Sequence, residues 1–301
     1  MSETNTQTLT INTMKTRIVR LLLAACVCAL PSLGLAQAHY PNGAEGIKAA
    51  SLPPPGTYFR DYNVFYFADR LKDGPPDFDK TFVYVNAPRL IWITEKKILG
   101  ADFGMDIILP FAYQSVKVGG DTTEHWSFGD IQLEPLLLSW HKEKMDIAAG
   151  YALWVPSGDY KSGPTPVALG YWGNMFTLGA TYYFDKDKTW AISALNRYEV
   201  NLEHPDSGIT PGNEYTLEAA ISKTLKKGID VGAVGYFQWQ TTEDCGTGAS
   251  DKLDQVIGVG PEVSMFCSKL GLNTSLRYYY EFGANDRPEG HKVVMTFTRR
   301  F

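Results

Sequence analysis

The residues with most capacity for chemistry are histidines beside carboxylates. His125 follows Asp121 and Glu124, and His204 precedes Asp206. With His39, His141 and His291 they complete the histidines of the chain. A base beside a carboxylate is half of a hydrolytic site; the other half is a nucleophile or an activated water within hydrogen-bond reach. No known catalytic motif supplies that half. No metal-ligand spacing, phosphate loop or nucleotide fingerprint is present either, and "GDYKSG" lacks the spacing of a phosphate-binding loop. The chain is therefore expected to be no enzyme and to need no cofactor, a hydrolase or protease being the weaker alternative.

Charged residues occur in a second pattern. They recur at every other position, opposite apolar ones. In 271–282, Leu272, Thr274, Leu276, Tyr278, Tyr280 and Phe282 alternate with Asn273, Ser275, Arg277, Tyr279 and Glu281. In 102–113, Asp102, Gly104 and Asp106 oppose Phe103, Met105 and Ile107. Segments 189–202, 229–240 and 255–267 read alike, with Asn196 breaking one apolar row. So does the tail "HKVVMTFTRRF". Period-two alternation is the mark of a strand with two unlike faces. The phase is ambiguous only in the first two strands, near 57–68 and 81–95.

Strands that carry such rows must be positioned by turns. Lys-rich marks start at 96, 142, 185, 226 and 268, about forty residues apart, which points to a repeated hairpin unit. Between them lie Gly/Pro/Asp-rich stretches, "RLKDGPPDFDK", "VKVGGDTTEHW", "SGDYKSGPTPVALG", "HPDSGITPGN", "TTEDCGTGASDKLD" and "ANDRPEG", read as longer loops. About twelve strands in six hairpins result. Trp92, Trp126, Trp140, Trp154, Trp172, Trp190 and Trp239 all fall near predicted strand ends, as an interfacial girdle requires. The chain is thus predicted to be all-β, a closed antiparallel transmembrane β-barrel with short periplasmic turns and longer extracellular loops. A soluble β-sandwich is the alternative, disfavoured by the strand length. A barrel pairs every backbone group in lipid without leaving an edge.

Composition agrees with export. The 301 residues carry a net charge of -5, which disfavours nucleic acid as a partner. One strongly apolar run, Leu21–Leu30, follows Lys15, Arg17 and Arg20 and precedes Ala36-Gln37-Ala38, the layout of a secretory signal peptide cut before His39. The expected organisation is 1–13 an over-extended start, 14–38 the signal, 39–56 an N-terminal periplasmic or plug segment, and 57–301 the barrel. Cys26 would permit a lipoprotein reading, but apolar residues follow it. Cys245 and Cys267 are expected at opposite ends of one strand, too far apart for a disulfide. The N-terminal segment is expected to contact the barrel's periplasmic mouth.

In this barrel the inward set includes Asp102, Asp106, Glu134, Arg197, Glu199, Glu218, Tyr236, Glu262, Arg277, Tyr279 and Glu281, with Asp130, Glu214, Lys292 and Arg300 in the same phase. They are the candidate lumen-facing residues. Either they line a polar conduit, or they pair with one another and hold the barrel in shape.

The stretch "HYPNGAEGIKAASLPPPGTYFRDYN" at 39–63, with "DFGMDIILPF", "GDIQLEPLLLSWH", "GDYKSG" and the final Phe, resembles the family named for the meta-pathway of phenol degradation. The resemblance covers most of 39–301. It implies an outer-membrane transporter for uptake of small hydrophobic or aromatic compounds, linked to aromatic catabolism. It also implies outer-membrane lipid and lipopolysaccharide as surroundings. A terminal Phe is the usual mark by which such barrels are recognised, so the barrel-assembly machinery is an expected partner of the strand ending at Phe301. A structural or adhesive barrel acting through its acidic outer loops is the competing function.

Overall fold

In the computed structural model, residues 38–72, 78–161, 167–226 and 228–301 are described. The predicted start, the body of the signal peptide, Cys26 and Cys28 lie outside them. Fourteen strands run in chain order: β1 Gly56–Leu71, β2 Phe78–Ile98, β3 Ala101–Ile108, β4 Phe111–Val118, β5 Asp121–Phe128, β6 Ile131–His141, β7 Met145–Val155, β8 Gly173–Tyr183, β9 Trp190–Asn201, β10 Glu214–Lys226, β11 Ile229–Gln240, β12 Gln255–Cys267, β13 Leu272–Asn285 and β14 Pro288–Arg300. All neighbours pair antiparallel. β1 pairs both β2 and β14, so the sheet closes.

The wall has twelve staves, because two of them are each made of two strands. β2 pairs β3 along 89–98 and β4 along 78–86. β3 with β4 therefore forms one stave, and β5 with β6 the next. Pro110 explains the first break, since it has no N–H for the ladder. The second break, at Gly129-Asp130, lies beside it, with Gly129 N donating to Pro110 O at 2.9 Å.

Period-two burial follows the predicted phase. On β13, Ser275, Arg277, Tyr279 and Glu281 are buried, while Leu276, Tyr278, Tyr280 and Phe282 are exposed. β14 gives the same result with Lys292, Val294 and Thr296 buried. On β1 and β2, Tyr58, Tyr62, Val64, Ala87, Arg89 and Ile91 point inward. Their phase is hard to read because the outward row is itself polar. Asp61 accepts from Asn63 and Asn86, at 2.9 and 2.8 Å, on the outer face.

Three readings change. "VKVGGDTTEHW" is not a long loop: β4 and β5 are joined by Gly119-Gly120 alone, both at positive φ. β13 and β14 are likewise joined by Asp286-Arg287 alone. Loop-like composition does not distinguish a tight turn from a long excursion, because both need the same residues. Trp154 does not belong to an outer girdle. It is 3% exposed and faces the interior, whereas Trp92, Trp126, Trp172, Trp190 and Trp239 are exposed. Cys245, in the β11–β12 connection, and Cys267, at the end of β12, are both free.

The lower end of the barrel holds Gly56 and Phe301; the upper end holds the longer connections. Closure of the wall through β1, β2 and β14 makes the barrel resistant to detergent at room temperature. An unboiled sample run in dodecyl sulfate should migrate apart from a boiled one, and identical migration would contradict the closed wall.

Candidate functional site

The site is the barrel interior, and a segment without regular secondary structure runs through it. Residues 38–55 enter at the lower end, where Tyr58 Oη donates to Pro54 O and Arg300 Nη2 donates to Pro55 O. Ser51 meets Tyr183 Oη at 2.9 Å, and Lys48 pairs with Asp230 at 3.0 Å, still near the lower turns. Asn42 then reaches Gln238, and His39 reaches Glu199, near the upper ends of β11 and β9. The segment thus contacts the lower mouth and also extends well beyond it into the lumen.

Glu218 on β10 holds the middle of this segment. Its carboxylate accepts from the backbone N–H groups of Gly43 at 3.1 Å, Glu45 at 3.0 Å and Gly46 at 3.4 Å, and from Tyr40 Oη. Such convergence needs a backbone that turns sharply and lies close to the wall. Gly43 and Gly46 provide both. Each has positive φ, and a Cβ on Gly46 would fall 2.0 Å from Glu262 Oε2. From the other side, Glu262 accepts from Ile47 N at 2.8 Å. Arg277 donates to the carbonyls of Gly43 and Ala44, and Tyr279 Oη to Gly43 O at 3.2 Å.

Glu45 gathers the arginines. Arg60 Nη1 lies 2.8 Å, Arg89 Nη1 3.0 Å and Arg197 Nη2 3.5 Å from its carboxylate. Arg89 continues to Asp106 at 2.5 Å and Glu134 at 3.0 Å. Arg197 also stacks on Tyr40, 4.0 Å from the ring centroid. Burial works against the Glu45 charge, but Arg60, Arg89 and Arg197 more than offset it and hold the carboxyl at about 2.

A second cluster lies across the lumen. Glu281 accepts from Tyr236 Oη and from Tyr66 Oη, and Lys292 Nζ sits 3.5 Å away. Lys292 also donates to Asn42 O at 3.1 Å, tying this cluster to the segment. Of the eleven candidates, Asp106, Glu134, Arg197, Glu199, Glu218, Tyr236, Glu262, Arg277, Tyr279 and Glu281 therefore join one buried network around residues 39–47. Asp102 stands apart, at the lower end with Lys97 and His141.

Sequence reasoning missed Arg60 and Arg89, which sit on the strands of ambiguous phase, and Glu45, on a segment with no period. Asp254 and Arg287 were missed because they lie in turns, although Arg287 is buried and 3.4 Å from Asp254. The remaining histidines are scattered. His291 bonds Tyr278 Oη on the outer face, and His204 accepts from the backbone of Asp206 and Ser207. Among the described residues no group of three His, Cys, Asp or Glu could hold a metal ion.

Between the segment and the wall, in the upper half, is a cavity of about 200 Å³. Val83, Val85, Ala87, Ile108, Pro110 and Trp154 supply its apolar lining; Gln114, Gln132, Arg89 and Arg197 supply polar groups. Trp154 Nε1 is buried and donates no hydrogen bond to the described residues.

The model of a family described as "Putative MetA-pathway of phenol degradation" matches residues 68–297. No curated protein matches the chain. Among solved structures, the COG4313 outer membrane channel from Pseudomonas putida F1 is similar with a TM-score of 0.74 and 16% identity, over 87% of this chain and 99% of that one. The β domain of the Bordetella autotransporter BrkA follows with a TM-score of 0.51 and 12% identity, over 83% of this chain and 100% of that one. At these identities the likeness is one of fold.

Two predictions follow from the Glu45–Glu218 pair. Glu218→Ala orphans buried donors, at about 1–3 kcal/mol for each one. Trypsin should then cleave after Lys48 in the folded protein, whereas Asp102→Asn should leave that bond protected. Glu45 has a folded pKa below its unfolded value near 4.5. Its contribution is complete above 4.5 and falls away as pH drops towards about 2. Protection of Lys48, read by an acid-active protease after brief exposure to graded pH, should hold at pH 5 and decay only in that acidic window.

Proposed function

The chain belongs to this family of phenol-degradation proteins and forms an outer-membrane β-barrel of the bacterial cell, and from that premise we propose that it is a channel for uptake of small hydrophobic or aromatic compounds. The observation that carries this reading is the cavity. In a lumen filled largely by paired charges, one space presents an apolar wall, from Val83, Val85, Ala87, Ile108, Pro110 and Trp154, facing charged groups that include Glu45, Asp130, Arg197 and Lys292. A single aromatic ring fits its chemistry, with ring faces against Val, Ile and Pro and an acceptor group opposite Trp154 Nε1. Passage past the segment then requires the segment to yield.

A second reading is favoured by the segment itself. Its many contacts occupy the interior, as a structural or loop-binding barrel would allow. Such a barrel would act through the exposed connections at the upper end, next to lipopolysaccharide. An outer-membrane hydrolase has weaker support: His141 does meet Ser139 Oγ at 3.3 Å and Asp146 at 3.1 Å, but these residues lie at the lower end of the barrel and none of them lines the cavity. In either reading the terminal strand, with Phe301 74% exposed, supports engagement of the barrel-assembly machinery.

Refolding residues 39–301 into liposomes separates these readings. Faster entry of a sparingly soluble aromatic such as toluene, with no change for a small sugar, is the expected result. Entry of both would indicate a general pore. No acceleration of either, in vesicles whose protein shows the heat-dependent gel shift, would overturn the channel reading in favour of the closed barrel.

A further inference from the structure

His39, at the upper end of the lumen segment, occupies a site whose charges do not balance. The side chains of His39, Asp130 and Glu199 are each 3% exposed or less. The His39 backbone N lies 3.1 Å from Glu199 Oε1, and its ring Nδ1 lies 2.5 Å from the same oxygen. Its Nε2 is 3.6 Å from Asp130 Oδ2. Trp154 stacks on the imidazole and Tyr171 meets it edge-on, which seals the group from water.

Buried carboxylates need compensation. Asp130 obtains much of its own from the backbone N–H groups of Gly158, Leu169 and Gly170. Glu199 does not. Its Oε2 is buried and accepts no hydrogen bond from the described residues. Among those residues, His39 is the only basic side chain ion-paired with either carboxylate. Burial disfavours the imidazolium, but Glu199, assisted by Asp130, keeps it protonated up to about pH 9. One positive charge therefore faces two negative ones.

We propose that the peptide bond between Ala38 and His39 is cut during export, and that the α-ammonium this creates on His39 is the missing cation, pairing with Glu199 and fastening the segment inside the barrel. Water adds across the bond: Ala38 leaves with a new carboxylate, and His39 keeps its nitrogen, which takes up a proton. The co-reactant is a protease that removes leader peptides of exported proteins; the small residues Ala36 and Ala38 suit it. The nitrogen already stands at ion-pair distance. Cleavage converts its one N–H into three, enough to serve both oxygens of Glu199. A free α-amine has a pKa of about 7.7–8.0, so it is largely charged at neutral pH even before its carboxylate neighbours act. Cleavage also removes Ala38, which is buried and lines the cavity. This inference is independent of which solute the barrel carries.

The first measurement is the N-terminus of protein purified from outer membranes, by intact mass and sequential degradation. His39 is expected, and any other first residue overturns the proposal. The second compares refolded 39–301 carrying a free α-amine with the same chain selectively acetylated there. The acetyl group takes the place of the Ala38 carbonyl and Cα, so it removes charge without adding bulk that the site cannot hold. The readout is the rate of trypsin cleavage after Lys48. Breaking one buried ion pair exposes the segment more often, so acetylation should raise that rate at least about tenfold. Glu199→Gln should do the same to the free-amine chain, yet change the acetylated chain less than about twofold, because the pair is already broken. An unchanged rate on acetylation, or effects that simply multiply, would sink the ion pair. If Glu199→Gln does not refold, the acetylation comparison decides alone.

Discussion

One carboxylate and three guanidinium groups set the order of this interior. Arg60, Arg89 and Arg197 come from separate strands, β1, β2 and β9, and their charges converge near the barrel axis. Without Glu45, Arg60 would lose its buried carboxylate partner, and Arg89 and Arg197 would keep only those of the wall. With it, they gain a common counter-ion that belongs to no strand. Paired buried charges are costly to separate, because the partner left behind has no water to turn to. The wall and the segment therefore depend on each other. The barrel supplies the cations and Glu218, and the segment supplies the anion and three backbone N–H groups.

This interdependence places the cavity. Where the segment follows β10 to β13 it is in direct contact with Glu218, Glu262 and Arg277, and little space remains. It faces β2 to β4 mainly across aliphatic side chains, with Arg89, bonded to Glu45, the polar exception. The space is left on that side, next to the interrupted staves at Pro110 and Gly129. Charge thus fixes the segment on one side of the lumen, and apolar surface leaves room on the other.

Much of the wall was legible in the sequence, because a two-sided strand must alternate and the alternation of β3, β9 and β11 to β14 is clean. β1 and β2 resisted, since Asp61, Asn63 and Asn86 give their outward row a polarity that belongs inside. Arg89 was lost with that phase. Trp154 misled for a related reason: position near a strand end suits a girdle residue, but parity put it opposite His39. The tight turns at 119–120 and 286–287 could not be told from loops by composition. Glu45 and His39 were beyond reach, because a segment without periodicity acquires its partners only when the staves have closed around it.

The seam between β1 and β14 carries a consequence for how the molecule is made. Residues 39–55 are tethered to β1, the strand that completes the cylinder by pairing with β14. Glu45 must find Arg197 across half the chain's length, and Ile47 must find Glu262 across more than two thirds of it. Contacts so distant in sequence form late and slowly, since their loop entropy is lost before any stabilisation is gained. The thread and the closing seam are therefore kinetically linked. A cylinder that zips shut before its thread is seated must open again, or be rethreaded from below, to reach the native state.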